Sequence, residues 1–152
     1  MKKIFLSMFL LPSFLFANGW SVGYTNLDID GDTLGGVTGS YTWNVADNWD
    51  VELGAILGTK DETYNEGTVS LKLELDPSAF LKAHYNFSEQ FRVGLTYADF
   101  AATVSGCVGS TCLAESASGG ELGMGIGATF GQITVSFDSL EDTNLLSFQY
   151  NF

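Results

Sequence analysis

Beyond residue 17 this sequence has no long apolar run, few basic residues, a single histidine and only two cysteines. Each shortage closes off a class of protein. Without roughly 20 consecutive apolar residues, no helix of the mature chain crosses a bilayer. Lys and Arg number six against 18 Asp and Glu, for a formal net charge of −12. Two of those six are Lys2 and Lys3, so the rest of the chain is more acidic still. Such a surface repels the phosphate backbone of nucleic acid. Cys107 and Cys112 have no further Cys or His close by, too sparse a set for zinc. Low hydrophobicity is also missing: 45% of the chain is apolar and 14% aromatic, unlike a disordered acidic segment.

The N-terminus carries its own signal. Lys2 and Lys3 precede an apolar stretch from Ile4 to Phe16, broken only by Ser7, Pro12 and Ser13, and Ala17 supplies a small residue for cleavage. This is the three-part plan of a secretory signal peptide, and the stretch is too short to span a membrane. Residues 1–17 are expected to be removed, leaving 18–152 as one domain. No cysteine lies near the cut to accept a lipid. Export implies an oxidising compartment, where Cys107 and Cys112 can form a bridge closing a short loop.

Alternation with period two dominates the remainder. Val69, Leu71, Leu73 and Leu75 alternate with Ser70, Lys72 and Glu74; Trp49, Val51, Leu53, Ala55 and Leu57 oppose Asp50, Glu52 and Gly54. Leu122, Met124, Ile126, Ala128 and Phe130 oppose Glu121 and glycines at 123, 125 and 127. Repeated along the chain, the pattern predicts eight strands near 19–28, 33–45, 49–58, 68–87, 91–104, 120–130, 132–139 and 144–152. Tight connections at 46–48, 88–90 and 131–132 alternate with longer, more acidic ones near 28–33, 59–67, 105–119 and 139–144. Asp76-Pro77-Ser78 interrupts the fourth strand, and proline belongs at edges, bulges or turns. The apolar phase runs unbroken across it, favouring one long strand or a hairpin protruding beyond the membrane.

An all-β chain of this length makes an eight-stranded antiparallel up-and-down barrel. Alternation alone does not say which face is apolar: a soluble cup is apolar inside, a membrane barrel outside. Two features favour the membrane. Trp20, Trp43, Trp49, Tyr85, Phe91, Phe130 and Tyr150 gather where strands meet the tight turns, as an interfacial girdle does. The strand charges Asp50, Glu52, Lys72, Glu74, Lys82, Arg92, Glu121 and Asp138 all oppose the apolar face, and in lipid each would cost roughly 2–4 kcal/mol at the midplane.

The chain ends Leu146-Ser-Phe148-Gln-Tyr150-Asn-Phe152, which resembles the C-terminal signature by which bacterial outer-membrane barrels are recognised for assembly. With the signal peptide and short turns, residues 18–152 resemble the small OmpX/OmpA-like barrel families. The resemblance implies a transmembrane barrel in the cell outer membrane, periplasmic tight turns, longer outer loops and a narrow interior. It also implies contact with outer-membrane lipid and lipopolysaccharide, and with the barrel assembly machinery through Phe148, Tyr150 and Phe152. A monomer without cofactor is expected.

The candidate chemistry is therefore an interior network of Asp50, Glu52, Lys72, Glu74, Lys82, His84, Arg92 and Glu121, with the Gly ladder making room for long side chains. His84, the one histidine, could serve a lipid A-modifying barrel enzyme, but no nucleophile can be placed beside it. Asp28, Asp30 and Asp32 resemble the opening of a calcium loop, yet Gly39 stands where an EF-hand needs glutamate, and Asp and Gly are ordinary turn residues. The expected function is non-enzymatic, structural or surface-interacting. The alternative is a conduit for small solutes or hydrophobic molecules, as OmpW-type barrels suggest.

Overall fold

The computed structural model describes residues 19–29, 31–67, 69–108 and 111–152. The expected signal peptide and Asp30 lie outside them. Among the described residues every regular element is a strand: β1 (Gly19–Ile29), β2 (Asp32–Ala46), β3 (Trp49–Lys60), β4 (Glu62–Glu66), β5 (Val69–Leu75), β6 (Ser78–Asn86), β7 (Phe91–Val108), β8 (Thr111–Phe130), β9 (Ile133–Ser139) and β10 (Thr143–Asn151).

Eight of these close into a ring, in the order β1-β2-β3-β6-β7-β8-β9-β10, with β10 returning to β1. Every pairing is antiparallel, and the first and last strands match from Ser21 opposite Asn151 to Ile29 opposite Thr143. Closure leaves no exposed edge around the ring. The tight turns use left-handed backbone at Asn48 (φ 63°) and Gly131 (φ 63°).

The remaining strands extend the ring upward. β4 pairs with β5, β5 pairs with the outer part of β7, and β7 stays paired with β8 out to Val108 opposite Thr111. A four-stranded sheet, β4-β5-β7-β8, thus stands above the rim on one side. This corrects the expected loops at 59–67 and 105–119. Much of the first is β4, and nearly all described residues of the second are strand. The Gly, Ser and Ala residues of 114–119 have weak strand propensity, but β7 lies beside them as a full ladder partner.

One extra residue at Asp76-Pro77-Ser78 sets the faces of this extension. Leu75 lies opposite Ala102, and Ala79 opposite Asp99, so four steps on one strand match three on β7. Pro77 has no N–H to lose at the bulge. The neighbouring groups are satisfied: the Asp76 N–H donates to the Ala101 carbonyl at 2.8 Å, and Ser78 Oγ accepts from the Ala101 N–H at 3.1 Å. A one-residue slip moves side chains to the opposite face. Odd residues face outward on β6 but inward on β5.

The polarity of the ring is that of a membrane barrel. Ile126 and Met124 are each 64% exposed on the outside, while Glu52, Lys82 and Asp138 are buried inside. A soluble cup would show the reverse. The inside has two layers. Toward the tight turns it is polar, with Ser21, Ser40, Thr96, Thr134 and Gln149 buried around the charges. Toward the open end lies an apolar layer of Leu27, Leu34, Ile56, Leu75, Phe80, Phe100, Leu140 and Leu145.

Candidate functional site: the interior network and the protruding sheet

The polar layer is built by residues brought into register from β3, β6, β7 and β9. Glu52 lies opposite Lys82, Lys82 opposite Thr96, and His84 opposite both Asp50 and Gly94. Lys82 donates to Asp138 Oδ2 at 2.6 Å across the barrel, and Thr96 Oγ1 donates to Asp138 Oδ1 at 2.5 Å. Glu52 Oε1 accepts from Ser40 Oγ at 2.7 Å and from Gln149 Nε2 at 3.0 Å. Its other oxygen lies 3.6 Å from Arg92 and 3.9 Å from His84 Nδ1. Buried charges persist only when paired and hydrogen-bonded in this way. The glycine ladder on β8 supplies the space. A Cβ at Gly127 would come within 2.8 Å of Arg92 Nε, and one at Gly125 would collide with the Asp138 carboxylate.

Of the expected network, Glu52, Lys82, His84 and Arg92 share this layer. Asp50 lies at its turn-side mouth, accepting from Asn86 Nδ2 at 2.6 Å and Asn44 Nδ2 at 3.1 Å. That mouth opens as a vestibule of about 540 Å³. Glu121 sits near the opposite rim and caps the β9–β10 turn, accepting from Thr143 Oγ1 at 2.9 Å and the Asp142 N–H at 3.2 Å. Lys72 and Glu74 are corrections. The extra residue at 76–78 turns them to the outer, solvent side of the protruding sheet, where Lys72 bridges Asp61 at 2.8 Å and Glu74 at 2.7 Å. Hydrogen bonding from Lys72 holds the Asp61 carboxyl below the usual range, and its two carboxylate partners push Lys72 up. Asp138, which the alternation puts on the inward face but which the expected network omits, is at the centre of the Lys82 and Thr96 contacts.

His84 is only 4% exposed and faces inward, away from the surrounding lipid. Asp28 Oδ1 accepts from the Gly31 N–H at 3.2 Å, and Asp32 accepts from the Tyr64 hydroxyl, so both carboxylates serve the turn and hairpin. The Asp32 bond raises the Tyr64 pKa.

At the turn end the aromatics form contacts: Trp20 with Tyr41 and Tyr41 with Trp43, both at 4.9 Å, Trp49 with Tyr85 at 5.3 Å, Phe87 with Phe91 at 6.1 Å, and Tyr150 with Phe152 at 5.2 Å. Phe130 lies at the β8–β9 turn, exposed outward, and Phe148 points outward on β10. At the opposite end a disulfide joins Cys107 and Cys112, directly opposed at the tip of the β7–β8 hairpin.

The two faces of the protruding sheet differ sharply. Its outer face carries Ser70, Lys72, Glu74, Thr103, Ser105 and Ser116. Its inner face carries Leu71, Leu73, Leu75, Val104, Val108 and Leu113, so the apolar layer of the barrel continues up the sheet and into solvent.

No family model matches this sequence, and no curated protein matches it. Solved structures do. The crystal structure of Ail, the attachment invasion locus protein of Yersinia pestis, aligns with a TM-score of 0.63 at 14% identity, covering 89% of this chain and 97% of that one. Ail in complex with the heparin analogue sucrose octasulfate aligns at 0.60 and 15% identity, with the same coverage. Neisserial surface protein A aligns at 0.43 and 11% identity, covering 88% and 94%. The chain has the fold of the small eight-stranded transmembrane β-barrels of which Ail is one.

Proposed function

We propose that this chain is a non-enzymatic barrel of the bacterial outer membrane, plugged inside, whose protruding sheet serves surface interaction. The observation that carries this reading is the sheet itself. It holds two strand edges and an apolar face clear of the ring, a surface of the kind that recognises partners. Signal peptide, C-terminal strand and fold similarity all support export and assembly in the outer membrane. Phe148, Tyr150 and Phe152 would then meet the assembly machinery, and the outward apolar belt the surrounding lipid. The strand ring closed on itself supports a monomer.

The conduit reading finds less support. Eight strands leave room only for side chains or one small ligand, and here a charged layer and an apolar layer occupy the interior. Sucrose octasulfate, a polyanion, is not carried over to this chain. It would meet an outer end rich in carboxylates.

The test is thiol labelling on intact cells. After mild reduction, a membrane-impermeant maleimide is expected to label Cys107 and Cys112 without cell disruption. Labelling only after disruption would place the sheet in the periplasm and end the reading. Planar-bilayer recordings of the folded protein are expected to be silent; steady openings would instead establish the conduit.

A further inference from the structure

We infer that the inner face of the protruding sheet is a docking site for a cationic amphipathic peptide segment of a partner protein. The inference rests on the surface-interaction reading and names the chemistry of the partner.

The face is apolar and open. Leu75 is buried in the barrel's upper layer and Leu73 packs against it, but Leu71, Val69, Val104 and Val108 are exposed, and Leu113 reaches 79% exposure. Together with Glu115 these outer residues line a groove of about 540 Å³. A contiguous apolar surface in water marks a binding site.

Direction rules out lipid as the occupant. The apolar side of the sheet continues the inward face of the barrel, toward the axis and away from the bilayer. The side that faces the surroundings is the polar one, with Ser70, Lys72, Glu74 and Thr103.

Charge selects among peptides. Glu62 and Glu115 lie on the apolar face itself, paired in register with Leu73 and Val104. Glu141 and Asp142 are exposed on the neighbouring β9–β10 turn, and Asp28 near the rim end of β1. The described cations of this outer half are Lys60 and Lys72, and each is held by carboxylates, Lys60 by Glu62 at 3.2 Å. Two copies of so acidic a surface repel one another, as would an acidic partner. A segment with apolar side chains on one side and Lys or Arg flanking them satisfies both features at once. In an extended form it would alternate the two.

The test uses the full protein folded in phospholipid nanodiscs. Three fluorescein-labelled peptides serve as probes, alternating Leu-Lys, Leu-Glu and Ser-Lys, with binding read by anisotropy. The Leu-Lys peptide is expected to bind saturably and more weakly as salt rises, and the other two at least tenfold more weakly. Leu71→Ser with Leu113→Ser is expected to weaken Leu-Lys binding at least tenfold, and Glu115→Lys several-fold. Ser105→Ala with Ser116→Ala, on the outer face, is expected to change nothing. Heat-dependent gel mobility verifies folding, and Leu113→Ser alone replaces the double variant should that one fail to fold. Equal binding of Leu-Glu, unchanged binding by the Leu variants, or cross-linking of the protein alone into dimers through Leu113→Cys would each overturn the inference. Should thiols label on intact cells while Leu-Lys fails to bind, the surface reading stands and only this inference falls.

Discussion

Lys82 lies beside Glu52 in the β3–β6 ladder, yet its ammonium crosses the barrel to Asp138, 2.6 Å away. Glu52 in turn is served by Ser40, Gln149 and the more distant Arg92. Removing one member of a buried pair leaves the other charge alone, at a cost of about 3–5 kcal/mol. Lys82→Met and Asp138→Asn are each expected to lower unfolding stability in lipid vesicles by that order. The double variant is expected to cost less than the two singles added together. Simple additivity in urea titrations would mean the two groups do not interact.

The outward face gives an independent check of polarity. Ile126→Arg, in the middle of the β8 belt, is expected to destabilise the folded barrel by about 2–4 kcal/mol in vesicles. Thr103→Arg, on the water-facing side of the protruding sheet, is expected to be near neutral. Similar losses at both positions would contradict the assignment of faces.

Gly125 faces the Asp138 carboxylate across the β8–β9 ladder, where a Cβ has no room. Gly125→Val is expected to cost about 1–3 kcal/mol by overpacking, read as a lower urea midpoint. Gly39, beside which a Cβ meets nothing within 4 Å, tolerates Ala. Equal effects would argue that strand propensity, not space, decides these positions.

Lys72 ties the base of the β4–β5 hairpin to Asp61 and Glu74, and the signs of its effect on pH are opposite at the two ends. The lowered Asp61 pKa contributes order above the carboxyl's unfolded value, lost as pH falls through the folded one. The raised Lys72 pKa contributes order below the lysine's unfolded value, lost as pH rises through the folded one. Hairpin NMR shifts at 61–74 are expected to be flat across neutral pH and to move only in strong acid and strong base. Lys72→Met is expected to flatten both limbs. Titration near neutrality would show that another group governs the hairpin.

The Cys107–Cys112 bond closes a loop that the β7–β8 ladder already closes, so it adds little chain constraint. Reduction is expected to leave the barrel's unfolding midpoint unchanged and to speed amide exchange in 102–108 and 111–118. A shift in the midpoint would mean the tip is coupled to the barrel.

Most of the ring was legible. Alternation located all eight ring segments, and the aromatic clusters marked the tight-turn end, because period-two patterning is direct in strands with one lipid face. What misled was phase. Val69 to Leu75 and Ala79 to Tyr85 share an odd apolar phase, which reads as one face. The backbone inserts a residue between them, so the same phase lies inward on β5. That is why Lys72 and Glu74 were assigned to the interior. A signal to the contrary was present on β7. There the apolar phase changes from Leu95 and Tyr97 to Ala98, Phe100, Ala102 and Val104, while the ladder with β8 keeps constant register. Read together, the two strands report one event, a change of which side must be dry. The alternation puts Asp138 on the inward face but does not name its partner: pairing across a barrel joins positions 56 residues apart, and no local pattern encodes that reach.

The extra residue at Asp76-Pro77-Ser78 also determines how deep the molecule sits. Below it the outward row is Ala79, Leu81 and Tyr85; above it the outward row is Glu74, Lys72 and Ser70. The chain therefore carries its own waterline. On one side it obeys the rules of a protein dissolved in hydrocarbon, and on the other those of a protein dissolved in water. Moving the insertion by two residues along the strand would shift that line by about 6–7 Å along the strand direction. The barrel would then have to rise, sink or tilt to keep its belt in lipid.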